Sequence, residues 1–204
     1  MDNSRAVETT GSPWSGAVSP FAISWQKLMM WVFIVTDALL FAGFLASYGF
    51  VRLASPQWPN RAEVFHLGFI GVMTFILISS SATMATAVGA ARRANRTVAV
   101  RFLLLTILGG LCFLGMQVYE WASLIQQGAR LYTNPWGVPT FSASFFLITG
   151  FHGSHVLTGV IILAIVALRS AMGRSTAEGV ELCGLYWHFV DLVWVFIFTL
   201  FYLI

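Results

Sequence analysis

The chain has 204 residues, of which 58% are hydrophobic and only 9% are charged, against roughly 25% charged in a soluble domain. So few charges could not cover the water-facing surface of a soluble fold, so soluble enzyme classes are excluded and a membrane protein is expected. The formal net charge is +3, but the Arg residues sit at the ends of apolar runs and form no single basic face, which argues against nucleic acid as a partner.

A bilayer core about 30 Å thick takes about 20 apolar residues in helix, and the sequence offers five stretches of that kind. In chain order, residues 1–24 are rich in Gly, Ser and Pro and read as a disordered or extended lead. They have no apolar core or cleavage signature of a signal peptide. Residues 25–204 form one five-helix transmembrane domain with predicted spans 28–51, 64–91, 102–121, 140–168 and 182–204. The fourth begins near Thr140 because Asn134, Pro135, Gly137 and Pro139 interrupt the uncharged run before it. There is no internal repeat. The fold expected is an all-α membrane bundle.

Orientation follows from the placement of basic residues. Arg5, Lys27, Arg92, Arg93, Arg96, Arg101, Arg169 and Arg174 fall on one side; Arg52, Arg61 and Arg130 fall on the other. The N-terminus is therefore expected in the cytoplasm and the C-terminus outside.

Ionisable groups inside the bilayer cost at least about 2.5–3.5 kcal/mol each, so each needs a partner or a role. Asp37 and Asp191 lie about 14 Å into the first and fifth spans, near the level of His152 and His155 in the fourth. Glu120 falls close to the external interface. Residues three or four apart share a helix face, which pairs His152 with His155, His188 with Asp191 and Gln117 with Glu120. Ser79, Thr83, Gly150, Gly153 and Gly159 are candidates for close helix approach.

Three readings compete for these polar residues: a metal site, a proton path, or an interhelical network that fixes the bundle. Four His, one of them His66 at a helix end, are too few for a haem-copper catalytic centre. His152, His155, His188 and Asp191 would make an acceptable single-metal set. The same side chains serve equally as one another's hydrogen-bond partners, and the structural network of Gln117, Glu120, His152, His155, His188 and Asp191 is the reading preferred here, with no metal and no catalytic residue assigned. Cys112 and Cys183 share no metal-type spacing and read as small apolar residues.

Three segments carry a resemblance. Residues 149–156 (TGFHGSHV) with Gly159, residues 185–194 (LYWHFVDLVW) and residues 115–120 (GMQVYE) resemble signatures of subunit III of the haem-copper terminal oxidases. The similarity runs from Trp31 to Tyr202. Members with seven spans have two further N-terminal helices, whereas this chain is similar to the short five-span bacterial forms. The resemblance implies a non-catalytic subunit of a proton-pumping aerobic respiratory oxidase in the bacterial cytoplasmic (inner) membrane. Such a subunit packs on catalytic subunit I, alongside subunit II and a small additional membrane subunit. It sustains proton uptake and protects the centre during turnover. Haem and copper are then expected in the partner subunits and none in this chain, and bound phospholipid is expected. Asp37 matches the family's intramembrane acid, commonly Glu in cytochrome c oxidases, and is implied to support proton supply. The spellings of the two His segments favour a cytochrome c oxidase. A quinol oxidase is the alternative, followed by a nitric oxide reductase accessory subunit and an autonomous transporter.

Overall fold

The computed structural model describes residues 24–204; the predicted N-terminal lead, apart from Ser24, lies outside the described residues. Five helices are long and apolar enough to cross a membrane, and among the described residues there are no strands. They are α1 (Trp25–Ala54), α3 (Leu67–Arg92), α4 (Arg96–Gln126), α5 (Pro139–Ala171) and α6 (Ala177–Phe198), the last continued by a π turn, Thr199–Leu203. A short helix, α2 (Arg61–Val64), lies in the first loop. The chain is thus a multi-pass membrane protein. α1, α3, α4 and α5, of 26 to 33 residues, measure about 39–50 Å at 1.5 Å per residue, longer than the hydrocarbon, so their ends reach the interfaces.

Local signals set the ends. Ser24, Asn95 and Thr176 accept hydrogen bonds from Lys27, Val98 and Gly179 backbone N–H groups and so cap α1, α4 and α6. Pro139 opens α5, where its missing N–H costs nothing. Gly128 and Gly173 adopt positive φ just beyond α4 and α5, which an L side chain resists.

The inward faces recur every three and four residues in alternation. On α3 they are Ile70, Met73, Leu77, Ser80, Met84 and Ala87. On α4 they are Leu103, Thr106, Gly110, Phe113, Gln117, Glu120 and Leu124. On α6 they are Val180, Cys183, Trp187, Val190, Trp194 and Ile197. A 3.5-residue period keeps one stripe against neighbours that cross at a shallow angle, as in coiled coils and most membrane bundles.

Within the bundle α3 packs on α4, α4 on α5, and α6 against α3, α5 and α1. Helix α1 touches only α5 and α6 extensively, and only 11% of its apolar window is buried, against 56% for the fifth span. It is the peripheral helix; α6 is the central one.

Polar contacts fasten α1 at both ends. At its start Lys27 pairs with Glu181, which also holds Arg92 at 2.9 Å, and Ser24 donates to Glu178. At its end Arg52 donates to the Ile204 carbonyl, and Arg61 of α2 donates to the Leu203 carbonyl, groups that the helix terminus leaves without intrahelical donors.

The close approaches run through residues other than two of those expected. Ser79 is exposed; a Cβ on Gly109 would come 2.7 Å from Ser80 Cβ instead. The buried stripe of α3, which runs Leu77, Ser80, Met84 and Ala87, turns Ser80 inward and leaves Ser79 outside it. Gly153 faces no atom within 4 Å, because the inward stripe of α5 passes from His152 to Val156. Thr83, Gly150 and Gly159 do sit at close contacts: Thr83 hydrogen-bonds Thr106 at 2.8 Å, and Cβ atoms on Gly150 and Gly159 would meet Trp121 at 2.9 Å and Trp187 at 3.0 Å.

Candidate functional site

Asp37 is buried on the α1 seam with Phe41 and Tyr48. Its Oδ2 lies 3.3 Å from Nε2 of His155 on α5, within ion-pair range though angled away from a straight hydrogen bond. The other ring nitrogen of His155, Nδ1, is 2.9 Å from the Phe151 carbonyl. A carbonyl only accepts, so Nδ1 carries a hydrogen and Nε2 is the nitrogen left to share a proton with the carboxyl group.

Aromatic groups fix the pair. Phe41 meets the His155 ring edge-on at 5.4 Å, Phe151 lies 4.7 Å away, and Tyr186 of α6 donates to the His155 carbonyl at 3.0 Å. A groove of about 360 Å³, lined by Met30, Phe33, Ser154, His155, Thr158 and Tyr186 among others, opens beside the imidazole. His155 thus sits at the rim of the bundle, with Asp37 buried behind it.

The second cluster lies toward the end of the bundle where α4 and α6 terminate. Glu120 Oε2 accepts from Gln117 Nε2 at 2.9 Å and from the Tyr202 hydroxyl at 3.0 Å. Tyr202 reaches it because the chain widens into the π turn at Thr199–Leu203, which sets Phe201 on Tyr48 at 3.9 Å and carries Tyr202 inward. Glu120 also lines a cleft of about 300 Å³ with His66, Ser123 and Gln127.

The remaining predicted residues stand apart from these clusters. His152, three residues from His155, points into the core: Trp194 stacks on it at 5.2 Å, Phe113 meets it edge-on at 5.8 Å, and neither ring nitrogen has a hydrogen-bond partner. His188, expected to belong to the same network, faces α3, where Ser81 Oγ lies 2.5 Å from its Nδ1. The Asp191 carboxyl oxygens are buried and have no hydrogen-bond partner. The expected single network is therefore separated into pieces: Asp37 with His155, Gln117 with Glu120 and Tyr202, and His188 with Ser81. The physical reason is steric. Trp187 and Trp194, both fully buried on α6, fill the middle of the bundle that a continuous polar seam would have to cross. Among the described residues no group of three or more His, Cys, Asp or Glu could hold a metal ion.

The comparison with known proteins bears on the same bundle. The family model described as cytochrome c oxidase subunit III matches residues 7–204. The chain belongs to the cytochrome c oxidase subunit III family. A relative from Corynebacterium diphtheriae, named cytochrome c oxidase subunit 3, is 36% identical over 85% of each chain. One from Alkalihalophilus pseudofirmus with the same name is 32% identical, covering 86% of this chain and 85% of its own. A protein of Staphylococcus saprophyticus named probable quinol oxidase subunit 3 is 31% identical over 88% of this chain and 89% of its own. As a member of the subunit III family, the chain has a role in an oxidase complex.

Sequence reasoning placed Asp37, His155, Gln117 and Glu120 among the candidates but missed two residues that position them. Tyr202 was readable only as a terminal aromatic, and Tyr186 only as part of a motif. Trp187 donates to Ser80 Oγ at 3.0 Å and lies against Gly110 and Gly159. The available signal was spacing: Gly110 and Trp187 both fall on 3.5-residue stripes.

Proposed function

We propose that this chain is the non-catalytic subunit III of a proton-pumping, oxygen-reducing terminal oxidase of the cytochrome c type in a bacterial cytoplasmic membrane. Its N-terminus is cytoplasmic and its C-terminus external, in keeping with the basic residues Lys27, Arg92, Arg93, Arg96, Arg101, Arg169 and Arg174 at one end of the bundle. It packs on catalytic subunit I, with subunit II and a small membrane subunit as further neighbours; haem and copper belong to those partners, and phospholipid fills the remaining lipid-facing surface.

The observation that carries the proton role is the Asp37–His155 pair. Two ionisable groups 3.3 Å apart sit on the peripheral helix and its neighbour, the imidazole beside a groove open to the surroundings. From there the pair can accept a proton and pass it to an adjoining subunit, while the rest of the chain serves as scaffold. The test is turnover of the whole oxidase reconstituted in vesicles. Asp37→Asn retains size and hydrogen-bonding capacity while removing the titratable proton. The expected result is normal assembly with a lower proton-to-electron ratio and fewer turnovers before inactivation. An Asn variant that pumps and survives like the parent would leave Asp37 as a structural contact only.

A second reading, subunit III of a quinol oxidase, draws support from the shorter acid at Asp37 and from the name of the Staphylococcus saprophyticus relative. Oxygen consumption by the purified complex with reduced cytochrome c and with a quinol separates the two: the first reading requires the cytochrome to be the faster donor.

A further inference from the structure

A cavity of about 460 Å³ lies where the α3–α4 and α5–α6 loops meet, far along the bundle from Glu120. Its volume falls in the range of about 300–1,000 Å³ that accommodates small ligands. Arg92, Arg96, Ser170, Gly173, Thr176 and Ala177 are among the residues that line it, and no acid does.

Four features make this cavity complementary to an oxyanion. Arg96 Nη1 would lie 2.8 Å from a Cβ on Gly173. That glycine has φ +73°, so the backbone is shaped to let the guanidinium rest against it. Arg96 has no ion pair among the described residues, whereas the nearby acids are taken: Glu181 by Lys27 and Arg92, and Glu178 by Ser24. Ser170 is only 7% exposed, and its hydroxyl has no hydrogen-bond partner; leaving a buried hydroxyl unmatched is costly unless something accepts from it. Finally, Ala177 is the first residue of the 22-residue helix α6, so the positive end of that helix also faces the cavity.

We infer that this cavity binds a phosphate oxyanion at the basic end of the bundle. The unesterified oxygens of a phosphate each accept more than one hydrogen bond, so together they can serve the planar fork of Arg96, the Ser170 hydroxyl and the α6 N-terminus. The phosphate can come from a phospholipid head group, since the cavity sits where the helix ends reach the bilayer surface, or from solution as free phosphate. The inference stands on the cavity alone and does not depend on the proton role of Asp37.

The experiment uses the delipidated full-length chain in the complex it assembles with, titrated separately with phosphatidylglycerol and with inorganic phosphate and read by native mass spectrometry. The parent is expected to retain one phosphate-bearing group that Arg96→Gln binds at least ten-fold more weakly, with a smaller loss for Ser170→Ala. Arg101→Gln, on the same helix but outside the cavity, should bind like the parent. Selective retention of phosphatidylglycerol identifies the lipid source, and selective retention of inorganic phosphate identifies the soluble one. Should Arg96→Gln fail to assemble, Arg96→Lys with Ser170→Ala provides the same comparison, since Lys keeps the charge and loses the fork. Equal binding of both probes by parent and variants would overturn the site.

Discussion

Glu120 shows at the level of single residues how a carboxyl group is accommodated in a bundle that excludes water. Two donors converge on one of its oxygens, Gln117 from the preceding turn and Tyr202 from α6. Hydrogen bonds to a charged or strongly polar acceptor contribute about 1.5–3 kcal/mol, and a buried acceptor left unmatched loses a comparable amount. Tyr202→Phe is therefore expected to lower the stability of the chain in detergent by about 1–3 kcal/mol. Glu120→Gln in the Tyr202→Phe background should cost less than the sum of the two single changes, because they break the same contact. Thermal unfolding of the parent and the three variants checks both statements. Additive losses would mean that Tyr202 stabilises the fold by its ring packing and not through Glu120.

Helix pairs depend on where small residues meet large ones. Trp187 occupies space left by Gly110 on α4 and Gly159 on α5, and a Cβ at those positions would come within 2.6 Å and 3.0 Å of the indole ring. A tightly packed interior resists added volume, with overpacking costs of about 1–3 kcal/mol and occasionally more. Gly110→Val is thus expected to destabilise the α4–α6 contact, whereas Gly153→Ala, where nothing lies within 4 Å, and Ser79→Ala at an exposed position should be neutral within about 0.5 kcal/mol. Thermal midpoints in one detergent distinguish the two groups. The glycines of the TGFHGSHV segment look equivalent in sequence; only the rotation of α5 about its axis separates Gly150, under Trp121, from Gly153.

For the molecule as a whole, the charge distribution predicts a measurable topology. Single-cysteine reporters in a Cys112→Ala background, Arg93→Cys in the α3–α4 loop and Tyr132→Cys in the α4–α5 loop, should react with a membrane-impermeant thiol reagent from opposite sides, Tyr132→Cys from outside the intact cell. Cys183 is buried in the bundle and should remain silent. Labelling of both reporters from one side would contradict the orientation. A second whole-molecule expectation concerns α1, which the bundle holds by few buried contacts and by polar links at each end. Glu181→Gln removes the anion that Lys27 and Arg92 share. It should raise protease sensitivity near Trp25 while leaving α3 to α6 protected; uniform loss of protection would show that α1 and the bundle unfold together.

The number of spans, their places in the chain and the class of the fold were determined by the sequence itself, because hydrocarbon tolerates so few charges that their spacing marks each crossing. The same rule singled out Asp37, Glu120, His155 and Asp191 as groups needing an explanation. Their partners could not be read that way. Asp37 meets His155 only because α1 folds back against α5, and Glu120 meets Tyr202 only because α6 ends in a π turn. His152 and His155 share a helix face in projection, yet the 3.5-residue seam sends one among the core aromatics and the other to the rim. Ser80 replaces Ser79 at the close approach for the same reason: a rotation of some tens of degrees about the helix axis, set by every contact in the bundle together, decides which of two neighbouring side chains is inside.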